Sequence, residues 1–125
     1  MKKLSIILIA GMVLITGLLS CHWHNTSIRI SDSEDEYKMT AHYETRKAHR
    51  VMEYLKESLQ DADGDINFRH GVVNDDIRLE DNTEFHLYAC PGELKIKIDK
   101  TENSGPSCER IKAVCEDIKS LLASE

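Results

Sequence analysis

Cysteine thiols are the most reactive side chains of this 125-residue sequence, and three of them follow the N-terminal region: Cys90, Cys108 and Cys115. Cys108 and Cys115 would lie about 10.5 Å apart along a predicted helix, whereas a disulfide requires Cα atoms within about 7 Å. Cys90 is predicted at the far end of a hairpin, roughly 20 Å from Cys108 at ~3.3 Å per strand residue. A Cys90–Cys115 disulfide is geometrically easier but still doubtful, and three cysteines cannot all pair.

Cys108 is the candidate reactive thiol, because it falls in the first turn of the last predicted helix. Amide dipoles at a helix N-terminus stabilise a thiolate, although the neighbouring Glu109 opposes this effect. Cys115 lies on the apolar stripe of the same helix, where a small buried hydrophobe is expected. A redox protein or enzyme that uses the thiol of Cys108 or Cys90 is therefore the alternative to a binding function.

The acidic and histidine residues lack the spacing of a metal site. Asp61, Asp63 and Asp65 match the first half of an EF-hand loop, but that loop needs Gly at position 6 and Glu at position 12, where this sequence has Ile66 and Val72. The histidines lack the close spacing of a zinc motif; they are His22, His24, His42, His49, His70 and His86. We therefore expect a solvated acidic loop, no metal and no cofactor.

Other arrangements of catalytic residues are missing from the sequence, which has no GxSxG, P-loop or HExxH motif. We interpret the adjacent carboxylates of Asp75 and Asp76 as a surface pair in a turn.

The net charge of −6 argues against a dedicated nucleic-acid-binding protein, which normally carries excess positive charge. The length corresponds to one ordinary domain, which excludes a large multidomain enzyme.

The N-terminal residues have the pattern of a secretory signal. Lys2 and Lys3 precede an apolar run over residues 4–19, which as a helix would span about 24 Å, short of the ~30 Å hydrocarbon core. The run ends in Leu-Leu-Ser-Cys at residues 18–21, and this segment resembles the lipobox of bacterial lipoproteins. The resemblance implies cleavage before Cys21, diacylation of its thiol and a stable lipid anchor.

The lipobox resemblance also implies a location. The residue after Cys21 is His22, not the Asp that tends to retain Gram-negative lipoproteins in the inner membrane. Many surface lipoproteins of Bacteroidota have a run of acidic residues directly after the cysteine, and this sequence has none there. For a Gram-negative source, the resemblance therefore implies the outer membrane, facing the periplasm. Residues 1–20 would be the signal peptide, 21–26 the lipidated cysteine and a tether, and 27–125 a single domain.

The elements that must position these residues follow from hydrophobic periodicity. Residues 27–31 and 37–43 alternate in polarity on either side of an acidic turn, which predicts a hairpin. A helical pattern begins after Thr45, which we assign as the N-cap, and ends near Gln60. Ile66 and Phe68 are a candidate short strand.

The second half of the chain predicts a hairpin followed by a helix. A strand containing Ile77 and Leu79 turns at 81–82 into residues 84–90, and a Pro-Gly turn at 91–92 leads into residues 93–99. A single register aligns six apolar residues on one face; the pairs are Ala89 with Leu94, Leu87 with Ile96, and Phe85 with Ile98. After a loop over 100–106, Ser107 is the predicted N-cap of the last helix.

The order ββα-β(β)ββ-α predicts an α+β fold: a two-layer domain with a mostly antiparallel sheet and two amphipathic helices on one face. Alternation then places polar side chains on the opposite face of the sheet. They are Arg29, Lys38, Thr40, His42, Arg78, His86, Tyr88, Lys95 and Lys97, with Asp76, Glu80 and Asp99 toward the edges.

This open face is the candidate binding surface. Removal of the first twenty residues, which contain two lysines and no acid, would change the net charge from −6 to −8, so positive charge gathered on one face favours an anionic partner. A solvated sheet face is the alternative. Residues 84–99 with the closing helix are similar to small, uncharacterised lipoproteins of Bacteroidota, a resemblance that carries no functional residue. The sequence thus favours a non-enzymatic envelope protein whose partners are the membrane and an envelope protein, glycan or anionic ligand.

Overall fold

The computed structural model describes residues 26–64, 66 and 71–124. Its helices and strands, in chain order, are β1 (Ser27–Asp32), β2 (Glu36–His42), α1 (Ala48–Ser58), β3 (Val73–Arg78), β4 (Glu84–Cys90), β5 (Glu93–Asp99) and α2 (Gly105–Ala123). A single 3₁₀ turn, Thr45–Lys47, precedes α1. Within these residues, no helix combines the length and apolar character needed to cross a membrane.

The strands form one antiparallel sheet in the order β1-β2-β5-β4-β3, which confirms the predicted α+β fold. The last strand, β5, lies at the centre of the sheet and pairs with both β2 and β4. Its apolar residues Leu94, Ile96 and Ile98 are fully buried, because they face the helices. The core of the domain therefore lies between the middle of the sheet and the helix layer.

The predicted β4–β5 register is confirmed where the two strands pair. Ala89 is opposite Leu94 and Leu87 is opposite Ile96, and all four side chains are completely buried. The turn between the strands requires a glycine at position 92, whose φ is 96°. A side chain there would also place its Cβ 3.2 Å from the carbonyl oxygen of Tyr43. The turn therefore fixes both the hairpin and its contact with the segment after β2.

Two cations join the ends of the helices. Lys47 is buried, and its Nζ donates to the carbonyl oxygens of Leu122 at 2.8 Å and Ser124 at 3.4 Å, which satisfies carbonyls that the end of α2 leaves free. At the other end, Arg110 near the start of α2 donates to both carboxylate oxygens of Asp61, at 2.7 and 3.0 Å. The helices are therefore antiparallel and fixed at both ends over the same face of the sheet.

The predicted N-cap of α2 is wrong by three residues. The helix starts at Gly105, and Ser104 is the cap, because its hydroxyl accepts the N–H of Ser107 at 3.1 Å. Pro106 in the first turn favours this earlier start, since its missing N–H would have no helical partner there. Ser107 instead accepts a hydrogen bond from the buried hydroxyl of Thr83 at 2.7 Å, which ties the helix start to the sheet.

The start of α1 also differs from the prediction. Thr45 is the first residue of the 3₁₀ turn and not a cap, and Glu44 before it makes no capping bond through its side chain. The helix ends at Ser58, just before the predicted end at Gln60. The first backbone N–H groups of the 3₁₀ turn and of α1 thus receive no capping hydrogen bond from a side chain.

The segment between α1 and β4 contains two further differences. Ile66 lies outside any strand, while Phe68, its predicted strand neighbour, lies outside the described residues. Asp75 and Asp76 belong to β3 and not to a turn, because the buried residues Val73 and Ile77 on either side draw the whole segment into the sheet beside β4.

The packing of α2 yields a stability prediction. Ile118 is completely buried and Lys119 is exposed. We expect Ile118→Ala to lower the free energy of unfolding by about 2–5 kcal/mol because it leaves a cavity in the core. Lys119→Ala should change it by less than about 0.5 kcal/mol. Denaturant titration measures both, and equal midpoints for the two variants would contradict the helix orientation described above.

Candidate functional site

The open face of the sheet is organised in rows of residues that pair across neighbouring strands. Two adjacent rows cross β1, β2 and β5; they contain Arg29, Thr40 and Lys95 in one row and Ser31, Lys38 and Lys97 in the next. Each of these six side chains carries a hydrogen-bond donor, and none carries a carboxylate. We call the six residues the donor grid.

Carboxylates border the donor grid at both ends of the strands. Glu93 pairs with His42 at one end, and its carboxylate lies 3.3 Å from the imidazole Nε2. At the other end, Glu36 is opposite Asp99, and Glu84 forms an ion pair with Arg78. Alternation assigns Glu36, Glu84 and Glu93 to the open face, although the sequence analysis did not include them.

The charges of the open face therefore balance. Its basic residues are Arg29, Lys38, Arg78, Lys95 and Lys97, and its acidic residues are Glu36, Asp76, Glu84, Glu93 and Asp99. Glu80, predicted at the edge of this face, lies in the turn after β3 and donates its backbone N–H to Asp61. Four of the five basic residues of this face belong to the donor grid, whereas none of its acidic residues does.

Lys38 is the centre of the donor grid. It lies directly opposite Lys97 on β5 and diagonally from Arg29 and Lys95, at the ~7–8 Å typical of such neighbours. Within the part of the chain that the structure describes, it has no ion pair or side-chain hydrogen bond. Like charges directly opposite each other destabilise a sheet, so the Lys38–Lys97 pair has a cost, which the ion pair of Lys97 with Glu36 reduces.

The two lysines of β5 are exposed and form long ion pairs with half-buried glutamates. Lys95 Nζ lies 3.6 Å from Glu93 and 5.7 Å from the centre of the Tyr88 ring, and Lys97 Nζ lies 3.6 Å from Glu36. Their side chains are 51% and 54% exposed. Exposed ion pairs contribute little free energy, so an incoming anion could replace these carboxylates at small cost.

His86 extends the second row onto β4 and is held by β3. Its Nδ1 lies 2.8 Å from a carboxylate oxygen of Asp76, and its Nε2 lies 2.7 Å from the side-chain oxygen of Asn74. Both ring nitrogens are thus occupied. A cavity of about 250 Å³ adjoins the ring and is lined largely by Asp76, Glu84, Lys97 and Asp99.

The thiols are separated from one another, and among the described residues Cys90, Cys108 and Cys115 are all free. Cys108 is only 8% exposed and belongs to the core, so its position near the start of α2 does not present the thiol to solvent. Burial, with a smaller effect of Glu116, raises the pKa of Cys115 to about 12, so this thiol is protonated at neutral pH.

Cys90 is half-buried at the end of β4 on the open face. The hydroxyl of Tyr88 donates to its Sγ at 3.5 Å, and this bond is the main reason that the pKa of Tyr88 is raised above 10. Of the two thiols in the alternative function, only Cys90 thus reaches the surface at which a partner could contact it.

The acidic loop after α1 has a structural use. Asp61 binds Arg110, and this bond is the main reason that the pKa of its carboxyl lies below 3.8. Asp81 binds the same guanidinium at 3.0 Å. Asp63 is exposed beside them, and Asp65 lies outside the described residues. In the described part of the chain, no three His, Cys, Asp or Glu side chains converge as they would around a metal.

The remaining predicted residues are dispersed. His42 is exposed at the end of β2 and His49 is exposed on α1, so they belong to different surfaces. Cys21, His22, His24 and His70 lie outside the described residues. Comparison with protein-family models, curated proteins and solved structures finds no match to the chain.

The repulsion between Lys38 and Lys97 can be tested as a stability effect. We expect Lys38→Glu to raise the free energy of unfolding by about 0.2–1 kcal/mol, because it replaces a like-charge cross-strand pair with an opposite-charge pair. Lys38→Gln, which removes the repulsion alone, should lie between the variant and the wild type. The differences should shrink in 1 M salt, where the screening length is about 3 Å. A Lys38→Glu variant less stable than wild type would contradict this account.

Proposed function

We propose that the chain is a lipid-anchored cell-envelope protein that acts by binding a partner, and that the open face of its sheet is the binding surface. The observation that carries this proposal is the donor grid, in which Lys38, Lys97, Lys95 and Arg29 are neighbours. Departures from the rules of local stability are expected at functional sites. An anionic group bound at the grid would offset the repulsion.

The chemistry of the other side chains supports binding over catalysis. Cys108 and Cys115 are buried in the core, where substrates have no access. The acidic groups of Asp61 and Asp81 hold Arg110, and His86 is bonded through both nitrogens. Among the described residues, therefore, the exposed ionisable groups outside these contacts are better suited to electrostatic recognition than to acid–base work.

The proposed anchor supports the same function. A tether over residues 22–26 could extend at most about 17 Å, at ~3.3–3.6 Å per residue. A domain attached this closely to a membrane meets surface-bound partners at high effective concentration, so a modest affinity is sufficient. We propose the outer membrane, facing the periplasm, as the location.

Lipidation at Cys21 gives the first functional prediction. Cys21→Ala should block processing, because the acyl acceptor is lost, and the precursor should keep residues 1–20. Globomycin, which inhibits the lipoprotein signal peptidase, should cause a wild-type precursor to accumulate that also keeps residues 1–20 but carries the diacylated thiol of Cys21. Mass spectrometry of the envelope fraction measures both. Normal maturation of the variant would contradict the anchor without bearing on the sheet face.

Charge reversal at the open face gives the second functional prediction. We expect Lys95→Glu with Lys97→Glu to abolish cross-linked adducts between the protein and native envelopes, while the wild-type adducts should decrease as salt rises above physiological strength. The matched control reverses Lys56 and Lys119, which are exposed on the two helices, and should retain the adducts. A folded Lys95/Lys97 variant that keeps all its adducts would show that the face is only a solvated surface.

A further inference from the structure

We propose that the donor grid is a site for the phosphate of a net-anionic lipid headgroup at the membrane surface, with Lys38 as its central contact. This inference rests on the proposed function, since it names the partner of the same face. Three kinds of observation favour it: the size of the grid, the acidic residues that border it, and the position of β1, which follows the proposed tether directly.

The dimensions of the grid suit one compact anion. Neighbouring strands are ~4.8 Å apart and residues on one face repeat every ~6.8 Å, so the grid over β1, β2 and β5 measures about 10 by 7 Å. Lysine side chains from opposite positions, such as Lys38 and Lys97, are long enough to converge on a group at its centre. Arg29 adds a guanidinium, which can donate two parallel hydrogen bonds to phosphate oxygens.

The hydroxyls of the grid complete this donor set. Thr40 lies between Arg29 and Lys95, and Ser31 lies beside Lys38. A hydroxyl can donate to a phosphate oxygen that the cations leave free. A phosphate group presents more acceptor oxygens than a carboxylate. It therefore uses the mixture of ammonium, guanidinium and hydroxyl donors more fully.

The bordering carboxylates restrict the shape of the anion. A long polyanion lying along the strands would leave the grid and meet Glu93 at one end or Glu36 and Asp99 at the other. Repulsion there disfavours nucleic acid and other extended polyanions in this orientation. A single phosphate, or the headgroup of one lipid, is short enough to remain within the basic rows.

The position of β1 argues for a membrane source. Arg29 and Ser31 come from this first strand, which begins at Ser27, directly after the proposed tether. The grid therefore includes the part of the domain that is covalently closest to the anchor, within reach of the phosphates of neighbouring lipids. Dissolved phosphate esters share the chemistry and must be distinguished by experiment.

Lysine protection in the full mature chain tests this inference. The lipidated protein is loaded into nanodiscs of phosphatidylcholine alone or with phosphatidylglycerol, and the acetylation rate of each lysine is measured by mass spectrometry. We expect acetylation of Lys38 to be at least about fivefold slower with phosphatidylglycerol. Lys56, exposed on α1, should react equally in both, and high salt should remove the protection of Lys38.

A variant of the grid tests whether the protection of Lys38 comes from binding at this site. Thr40→Asp places a carboxylate inside the grid, at a half-buried position on the open face of β2, while the buried side chains of this strand face the other way. It should abolish the protection of Lys38 while its circular dichroism spectrum and unfolding midpoint show a folded domain. Protection that survives in a folded Thr40→Asp protein would overturn the grid as the site.

A third sample separates the sources of phosphate. Glycerol phosphate is added to the phosphatidylcholine nanodiscs; protection of Lys38 with phosphatidylglycerol but not with dissolved ester at millimolar concentration supports the membrane source. Protection by the dissolved ester alone would overturn it, as would equal Lys38 rates in every sample. If those rates are equal and the Lys95/Lys97 reversal still removes envelope adducts, the phosphate inference fails and the proposed function stands.

Discussion

Burial of the sheet on one side only is the constraint on which the rest of this structure depends. The central strand β5 places Leu94, Ile96 and Ile98 against the helix layer, and the period of two then sends every intervening side chain to the other face. Lys47 and Arg110 join the ends of the two helices to each other, and both helices lie on this side of the sheet. A five-stranded polar surface is the direct consequence.

That surface has a pattern beyond simple solubility. The edge strand β3 carries Asp75 on the helix side, and an inward-pointing charge of this kind discourages pairing with another sheet. The middle of the open face instead brings lysines together, although alternating signs would stabilise the sheet more. The carboxylates that form ion pairs with the two β5 lysines, those of Glu93 and Glu36, lie at the ends of the strands. Positive charge is thus kept in a small area of a protein that is acidic overall.

The parts of the fold that follow from local periodicity could be predicted from the sequence. The β4–β5 register can be predicted because one alignment places six apolar residues on one face, as in Leu87 with Ile96, and alternation along the strands then identifies the cations of the open face. The same rule also assigns Glu36, Glu84 and Glu93 to this face, so these three carboxylates could be predicted from the sequence as well.

Contacts between distant parts of the chain could not be predicted in this way. Lys47 binds the carbonyl of Leu122, and Arg110 binds Asp61, although each pair is far apart in sequence; no local pattern indicates such partners. The prediction of the N-cap of α2 failed for a different reason. Ser104 and Ser107 both suit a cap position, and the choice depends on whether Pro106 lies inside the helix.

The central claim is that the open face, and not the helix layer, meets the partner. A photo-cross-linking amino acid placed at position 40, in the donor grid, or at position 113, exposed on α2, tests it most directly in native envelopes. We predict adducts from position 40 that disappear at high salt, and none from position 113. Adducts from position 113 alone, or equal yields from both positions, would contradict the assignment of the binding surface to the open sheet face.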